Sequence, residues 1–99
     1  MATQNDTLLE NELDTTHIKR FRVYLLNDDY TTMDFVVHVL MEVFHKQFNQ
    51  AQDIMLQVHK NGKGLCGVYG YEVAETKVLM VRKLAKQNGF PLKAVMEEG

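Results

Sequence analysis

Residues 25–33 read LLNDDYTTM, and this stretch decides the fold because an apolar strand ends there in a short acidic turn and a helix begins at once. Asn and Asp side chains bond to nearby backbone amides and favour turns, and Thr31 or Thr32 can cap the helix that follows. The stretch also predicts half of a binding site, since Asn27 and two carboxylates can accept hydrogen bonds from a cation and Met33 begins an apolar wall. Residues 27–29 fit both a plain turn and a turn that accepts hydrogen bonds from an ammonium group. A magnesium site is disfavoured, because neighbouring carboxylates in a turn seldom reach one metal ion.

The segments on either side of this turn predict a strand and a helix. Alternation from residue 20 indicates a half-buried strand, with Phe21, Val23 and Leu25 on one side and Arg20, Arg22 and Tyr24 on the other. After the turn, two apolar stripes have helical spacing: Met33, Val36, Val37, Leu40 and Phe44 form one, and Phe35, Val39 and Val43 form the other. We expect a helix that is apolar on two stripes to be largely buried.

The later half of the chain predicts two more helices and two more strands. Asn49 can cap a second helix, whose apolar residues Ala51, Ile54, Met55 and Val58 are closed by His59. Residues 61–64 predict a turn from two glycines, and residues 65–69 predict a short strand that Gly67 weakens. A third helix is predicted over residues 72–87, with stripes of Val73, Met80 and Leu84 and of Ala74, Val78, Val81 and Ala85. Gly89 and Pro91 end it, and residues 92–96 form a closing strand with Leu92, Ala94 and Met96 on one side.

The predicted order is therefore β-α-α-β-α-β, which indicates an α/β fold of the α+β sandwich kind with helices packed against a small three-stranded sheet. A chain of 99 residues that is 45% hydrophobic is sufficient for one domain with one modest core.

Composition excludes several classes of function. A single Cys and no secretory pattern at the N-terminus indicate a reducing, cytoplasmic setting without a disulfide framework. No apolar run approaches the roughly 20 residues that a bilayer span requires. The net charge of −2 argues against a protein that binds nucleic acid chiefly through phosphates. We therefore expect a protein or a small ligand as the partner, and neither a cofactor nor a metal ion.

The start of the chain differs in charge from the remainder. Residues 1–18 contain four acidic residues and no Lys or Arg, whereas the remainder contains 11 basic and 9 acidic residues. Few large apolar residues occur before residue 19, so we predict a flexible N-terminal extension over residues 1–19 and a folded core over residues 20–99. A merely solubilising tail is an equally good interpretation of this composition.

Three residue types in the sequence could carry a chemical or binding function: histidine, cysteine and methionine. The four His residues lack a metal-ligand spacing, and a lone His59 on an apolar helix face is more often structural than catalytic. A Cys66–His59–Asp28 triad can be written, but the flanking residues lack nucleophile motifs, so we do not expect an enzyme. Met33 and Met55 fit a core, although Met side chains also adapt to varied apolar ligands.

Several spaced motifs recur in order in one known family: residues 26–31 (LNDDYT), 33–36 (MDFV), 55–59 (MLQVH), 67–68 (GV) and 72–78 (EVAETKV). On these motifs the chain resembles the ATP-dependent Clp protease adaptor ClpS over residues 20–97. It departs at Thr32, where the family often has Pro, a change that a helix start tolerates. The resemblance implies a monomeric, non-enzymatic adaptor that captures proteins beginning with Leu, Phe, Tyr or Trp and delivers them to the ClpA unfoldase of the ClpAP protease.

The resemblance also implies roles for individual residues. Receptors for the substrate's α-amino group would be Asn27, Asp28 and His59. The walls of the side-chain pocket would be Thr31, Met33, Val36, Met55, Val58 and Leu92, with Met33 excluding β-branched side chains. Contacts with the ClpA N-terminal domain would be Glu72 and Lys77, and the N-terminal extension would assist delivery. The rival interpretation is an α/β interaction domain like the C-terminal domain of the ribosomal stalk protein, which has no pocket for a terminal residue.

Overall fold

The computed structural model describes residues 18–99, so the predicted flexible extension lies outside the described residues except for Ile18 and Lys19. The elements in chain order are strand β1 (Phe21–Leu26), helices α1 (Met33–Glu42) and α2 (Phe48–Asn61), strand β2 (Lys63–Tyr69), helix α3 (Tyr71–Asn88) and strand β3 (Lys93–Glu98). The predicted order β-α-α-β-α-β is confirmed. Within residues 18–99, no helix has both the length and the apolarity that crossing a bilayer requires.

Strand β1 is the centre of a three-stranded antiparallel sheet in the order β2-β1-β3. Val23 and Leu25 are fully buried, whereas Arg22 before them is exposed and Tyr24 between them is only partly buried, so the predicted alternation is confirmed. Helices α2 and α3 pack against the sheet, and α1 packs against α2. The turn after β1 leads into α1 and is bonded to the end of α2 through Asn27 and Gly62.

Strand β2 is irregular next to Gly67, the residue that was predicted to weaken it. Val23 pairs with Gly67 but Tyr24 pairs with Leu65, so Cys66 is skipped in the register. An extra residue in one strand is a β-bulge, which bends the strand locally. Cys66 is fully buried there.

The core is apolar and continuous. Its buried residues are Val23, Leu25, Phe35, Val36, Val37, Val39, Leu40, Val43, Phe44, Ala51, Val58, Cys66, Ala74, Val81, Ala85 and Leu92. Both predicted stripes of α1 are represented, but Met33 at its start is 46% exposed. On α3 the stripe containing Ala74, Val81 and Ala85 is buried, whereas Val73 and Met80 of the other stripe are exposed.

Several predicted element boundaries differ from the structure, three of them in ways that the local chemistry explains or that move a named residue. Helix α2 begins at Phe48, with Gln47 rather than Asn49 as its N-cap, and the Gln47 backbone N–H donates to Gln50 Oε1 at 3.4 Å. The turn predicted over residues 61–64 is shorter, because Gly62 alone ends α2 in the left-handed conformation (φ 89°) and residues 63 and 64 already belong to β2. The closing strand begins at Lys93, not residue 92.

The end of α3 follows the prediction. Gly89 adopts φ 78°, its N–H donates to the Lys86 carbonyl at 3.2 Å, and the Phe90 N–H donates to the Ala85 carbonyl at 2.9 Å. These bonds satisfy carbonyls that the last helical turn leaves without partners. The chain can then reverse into β3.

Candidate functional site

The turn after β1 is held by the Asp28 carboxylate. Its Oδ1 atom accepts the backbone N–H groups of Tyr30 at 2.8 Å and Thr31 at 2.7 Å, and its Oδ2 atom accepts the Thr31 hydroxyl at 2.7 Å. Partial burial acts to raise the pKa of Asp28, but the hydrogen bonds from the Thr31 hydroxyl and the two backbone N–H groups outweigh it and lower the pKa. The predicted turn chemistry is therefore present, and it keeps a negative charge at this position.

The next two residues start helix α1. The Thr32 hydroxyl accepts the Phe35 backbone N–H at 3.1 Å, so of the two candidate caps Thr32 is the N-cap. Met33 is the first helical residue and Val36 lies one turn further. Helical geometry thus places both side chains beside the acidic turn.

The turn is attached to the far end of α2 by one backbone hydrogen bond. The Asn27 N–H donates to the Gly62 carbonyl at 2.9 Å. Gly62 is the C-cap of α2, and His59 lies in the last turn of that helix with an exposed side chain. This bond brings the two predicted halves of the site together.

Between the turn, α1 and α2 lies a cavity of about 270 Å³, which we call the turn cavity. Its lining residues are Asn27, Asp28, Asp29, Thr31, Met33, Val36, Met55, Val58 and His59. All three residues assigned to the amino group are among them, and so are all those assigned to the side-chain pocket except Leu92. Asp29, which the sequence marked only as part of the turn, also lines the cavity.

Leu92 is not among the residues that line the turn cavity. It is 3% exposed and belongs to the core, where it lines a separate cavity of about 450 Å³ between the second half of α3 and the start of β3. Its neighbours Pro91 and Lys93 border a third cavity of about 480 Å³, on the side of the turn formed by Leu26 and Tyr30. The assignment of Leu92 to the wall of the turn cavity therefore stays a prediction.

The turn cavity has a polar end and an apolar end. The polar end offers the Asn27 amide, the Asp28 carboxylate and the His59 imidazole, and the apolar end is built from Met33, Val36, Met55 and Val58. Drug-sized ligands occupy pockets of roughly 300–1,000 Å³, so this smaller cavity suits one amino-acid side chain next to a cationic group. Within residues 18–99 no three His, Cys, Asp or Glu side chains are grouped so as to hold a metal ion.

Cys66 is unsuited to the triad that can be written from the sequence. It is fully buried, and burial raises the pKa of its thiol to about 12. The thiolate is the nucleophilic form of cysteine, and at neutral pH almost none of it exists at this position. Cys66 is a small apolar core residue.

The two residues assigned to a partner lie at the start of α3. Glu72 is exposed in the first helical turn, and Thr76 donates its hydroxyl to the Glu72 carbonyl at 2.9 Å. Lys77 is half-buried, and its ammonium donates to the Val43 carbonyl at 2.7 Å, beyond the end of α1. Lys77 therefore has a structural role, because it satisfies a carbonyl at a helix C-terminus.

Known proteins that are similar to this chain fall into one family. The family described as ATP-dependent Clp protease adaptor protein ClpS matches residues 16–95. The ATP-dependent Clp protease adapter protein ClpS of Wolinella succinogenes is 54% identical over 93 residues, covering 94% of this chain and 91% of that relative. The same protein of Oleidesulfovibrio alaskensis is 59% identical over 93 residues, covering 94% and 88%. Among solved structures, Agrobacterium tumefaciens ClpS2 bound to L-phenylalaninamide matches with a TM-score of 0.81 and 36% identity, over 84% of this chain and 100% of that chain.

Proposed function

This chain belongs to the family of ATP-dependent Clp protease adaptor proteins ClpS, and we propose that its turn cavity is the receptor for the first residue of a substrate. Members of this family are not enzymes. They bind proteins by an N-terminal degradation signal and deliver them to the ClpAP protease. The observation that carries the proposal is the meeting of a cation-accepting end and an apolar end in one small cavity.

The polar end would receive the substrate's α-amino group. A free N-terminus has three ammonium donors, and the Asn27 amide oxygen, the Asp28 carboxylate and the His59 imidazole are three possible acceptors around the turn cavity. The Asp28 carboxylate is already fixed by Thr31, so little side-chain freedom is lost when an ammonium group arrives. An acetylated N-terminus has no positive charge and should be rejected.

The apolar end would receive the first side chain. Thr31, Met33, Val36, Met55 and Val58 line it, which favours Leu, Phe, Tyr and Trp. L-phenylalaninamide, bound to the similar Agrobacterium tumefaciens protein, has a free amino group next to a phenyl side chain and so combines the two features in question. Leu92 is a buried core residue that is not among those lining the turn cavity, and its assignment to this wall stays a prediction.

The expected affinity follows from the size of these contacts. A hydrogen bond to a charged group contributes about 1.5–3 kcal/mol, and burial of a Leu or Phe side chain contributes about 1.5–3 kcal/mol. Association costs about 4–15 kcal/mol in lost freedom. The most favourable combination, about 12 kcal/mol from three polar contacts and one buried side chain against about 4 kcal/mol of association cost, leaves about 8 kcal/mol, so we expect a Kd of micromolar order or weaker.

Delivery requires further surfaces. We propose that Glu72 and Lys77 contact the ClpA N-terminal domain, that residues 20–99 form the adaptor core, and that residues 1–19 act as a flexible extension in delivery. We propose a monomer as the working form. The free Cys66 thiol accords with a reducing compartment, for which we propose the cytoplasm.

Fluorescence anisotropy with labelled peptides tests the proposal. A peptide that begins with Phe should bind at micromolar concentration, whereas the same peptide acetylated, or beginning with Met, should bind at least about tenfold more weakly. Equal binding of all three peptides, or of none, would refute the receptor and favour an interaction domain without a pocket for a terminal residue.

A further inference from the structure

The cavity of about 450 Å³ between the second half of α3 and the start of β3, which we call the edge cavity, combines apolar and basic residues. Its apolar lining includes Val78, Ala85, Phe90 and Val95. Its charged lining residues are all basic: Arg82, Lys86 and Lys93. Strand β3 is at the edge of the sheet, so no strand among residues 18–99 covers its outer side. The edge cavity therefore offers apolar surface next to three cationic side chains.

The three basic side chains of the edge cavity attract an anionic occupant. All three are exposed, and no acidic residue lines the cavity. The ion pairs between residues 18–99 lie elsewhere, joining Lys19 to Glu98 at 3.8 Å and Lys63 to Glu97 at 3.2 Å. Like charges around a concave apolar surface raise the local concentration of oppositely charged groups. The occupant that fits is an acidic segment that also carries apolar side chains.

Residues 1–17 of this chain have that chemistry. They contain no Lys or Arg and four acidic residues: Asp6, Glu10, Glu12 and Asp14. Three leucines stand between these acidic positions: Leu8, Leu9 and Leu13. The remainder of the chain is mixed in charge, with 11 basic and 9 acidic residues. The acidic start of the chain is therefore complementary to the edge cavity in both charge and apolar content.

The acidic segment is attached close enough to reach the edge cavity. The Gly99 N–H donates to the Arg20 carbonyl at 3.1 Å, so the chain enters β1 beside the end of β3. Lys93, at the opposite end of β3, lies roughly 17 Å from there, because a strand rises about 3.4 Å per residue. A fully extended chain from Arg20 back to Asp14 spans roughly 20 Å. Asp14 and the residues before it are thus within reach of the cavity.

We propose that residues 6–14 dock reversibly in the edge cavity of the same molecule, with their carboxylates beside Arg82, Lys86 and Lys93 and their leucines on the apolar lining. Because both parts belong to one chain, the effective concentration is on the order of millimolar. Exposed ion pairs are individually weak and are screened by salt, so docking needs charge and apolar contact together. Such a segment is released easily, which is compatible with its proposed part in delivery. The docking does not depend on the function of the turn cavity.

Paramagnetic relaxation enhancement in the full chain tests the docking. A nitroxide is attached to Asn11→Cys, and Cys66 does not compete for the label because it is fully buried. Ala94 and Gly64 both pair with Leu25, on opposite edges of the sheet, so they are matched reporters at the same level of the fold. The Ala94 amide signal should be broadened more than that of Gly64. In about 1 M salt the difference should be lost, since the Debye length falls to about 3 Å.

Two pairs of substitutions separate docking from general attraction. Arg82→Glu/Lys86→Glu reverses two charges of the edge cavity and should abolish the excess broadening of Ala94. Lys60→Glu/Lys83→Glu makes the same change in net charge at exposed positions that do not line the cavity, and should preserve it.

The apolar part of the contact is tested within the acidic segment itself. Leu9→Ser/Leu13→Ser leaves every charge in place and should also remove most of the excess broadening of Ala94. Loss of broadening in the charge variant but not in the serine variant would mean diffuse attraction without docking, and would overturn the proposal.

Other outcomes would overturn it as well. Equal broadening of Ala94 and Gly64 in the wild type, or an excess that survives reversal of Arg82 and Lys86, would exclude the edge cavity as the docking site. A mixture of spin-labelled protein with separate isotope-labelled protein shows whether the contact lies between molecules. Broadening of Ala94 in that mixture would assign the cavity to the extension of a second copy. None of these measurements uses a substrate peptide, so failure here is distinct from failure of the receptor.

Discussion

The Asp28 carboxylate accepts both the backbone N–H and the hydroxyl of Thr31, each at 2.7 Å. A third hydrogen bond comes from the Tyr30 N–H, so both carboxylate oxygens are oriented in the absence of any ligand. Exact placement of an acceptor lowers the entropic cost of binding. The structural role of the turn is therefore compatible with its proposed role as a receptor.

Replacement of Asp28 tests this dual role through its pH dependence. The pKa of Asp28 is lowered below the ordinary 3.8, so its ionised form stabilises the fold; that stabilisation is complete well above pH 3.8 and is lost as the pH falls through the lowered pKa. Asp28→Asn should cost about 1 kcal/mol at neutral pH, a modest value because the group is partly exposed. Urea unfolding of both proteins at neutral pH and near pH 3 measures the difference, which should shrink in acid. A difference that is independent of pH would contradict the assignment.

His59 should contribute to peptide affinity as a hydrogen-bond acceptor. It is exposed in the last turn of α2 and lines the turn cavity. A hydrogen bond to a charged group contributes about 1.5–3 kcal/mol, so His59→Ala should raise the Kd for a Phe peptide by about tenfold or more, whereas His59→Gln, which keeps an acceptor, should lose less. Peptide titrations measure both variants. Unchanged affinity of His59→Ala would remove His59 from the amino-group receptor.

Met33 should control which first residues enter the turn cavity. It begins α1, is 46% exposed, and lines the turn cavity. Met33→Ala should admit peptides that begin with Ile or Val, because truncation widens the space for a branched β-carbon. Leu peptides should still bind within about threefold of the wild type. If Ile and Val peptides remain excluded from the variant, another residue provides the selection.

Replacing Glu72 should affect ClpA binding alone, whereas replacing Lys77 should also lower the stability of the fold. Glu72 is exposed, so Glu72→Gln should weaken binding to the ClpA N-terminal domain while stability changes by less than about 0.5 kcal/mol. Lys77→Met also removes the bond to the Val43 carbonyl and should cost about 1–2 kcal/mol of stability. Binding titrations combined with urea unfolding separate the two effects. Unchanged ClpA binding by a folded Glu72→Gln variant would argue against that surface.

Cys66 should be inert in the folded protein. Because burial raises the pKa of its thiol to about 12, roughly one molecule in ten thousand carries a thiolate at pH 8. Mass spectrometry after iodoacetamide treatment should show no alkylation under native conditions and full alkylation in urea. Rapid native labelling would mean that the bulged part of β2 opens readily.

The sequence predicted those features that depend on local chemistry. The alternation of apolar residues predicted that Val23 and Leu25 are buried. The hydrogen-bonding preferences of Asn, Asp and Thr predicted the turn and the Thr32 cap, and helical spacing predicted the buried face of α1. The cap of α2 was missed because Asn49 is the better N-cap by intrinsic preference, yet the chain enters that helix two residues earlier, at Gln47.

Features that depend on distances between elements could not be predicted. Leu92 shares a strand pattern with Ala94 and Met96, but only the position of α3 decides that it faces the core and a different cavity. Nothing local distinguishes Gly64, where a Cβ atom would lie 2.7 Å from Val58 Cγ2 on α2, from Gly62, which has a left-handed backbone and open surroundings. The apolar residues Val73 and Met80 had the right spacing for burial, and the packing of α3 left them exposed.

The proposed capture of cargo requires completed folding, because the turn and α2 each supply part of the turn cavity and are joined by the hydrogen bond from the Asn27 N–H to the Gly62 carbonyl. This hydrogen bond joins the end of the first strand to the end of the second helix, so a chain in which α2 has not docked presents an acidic turn without a pocket. Such a chain would hold no substrate, and an adaptor damaged by heat would release its cargo instead of delivering it. Cargo in turn binds only the assembled form, so a loaded adaptor should resist unfolding more than an empty one.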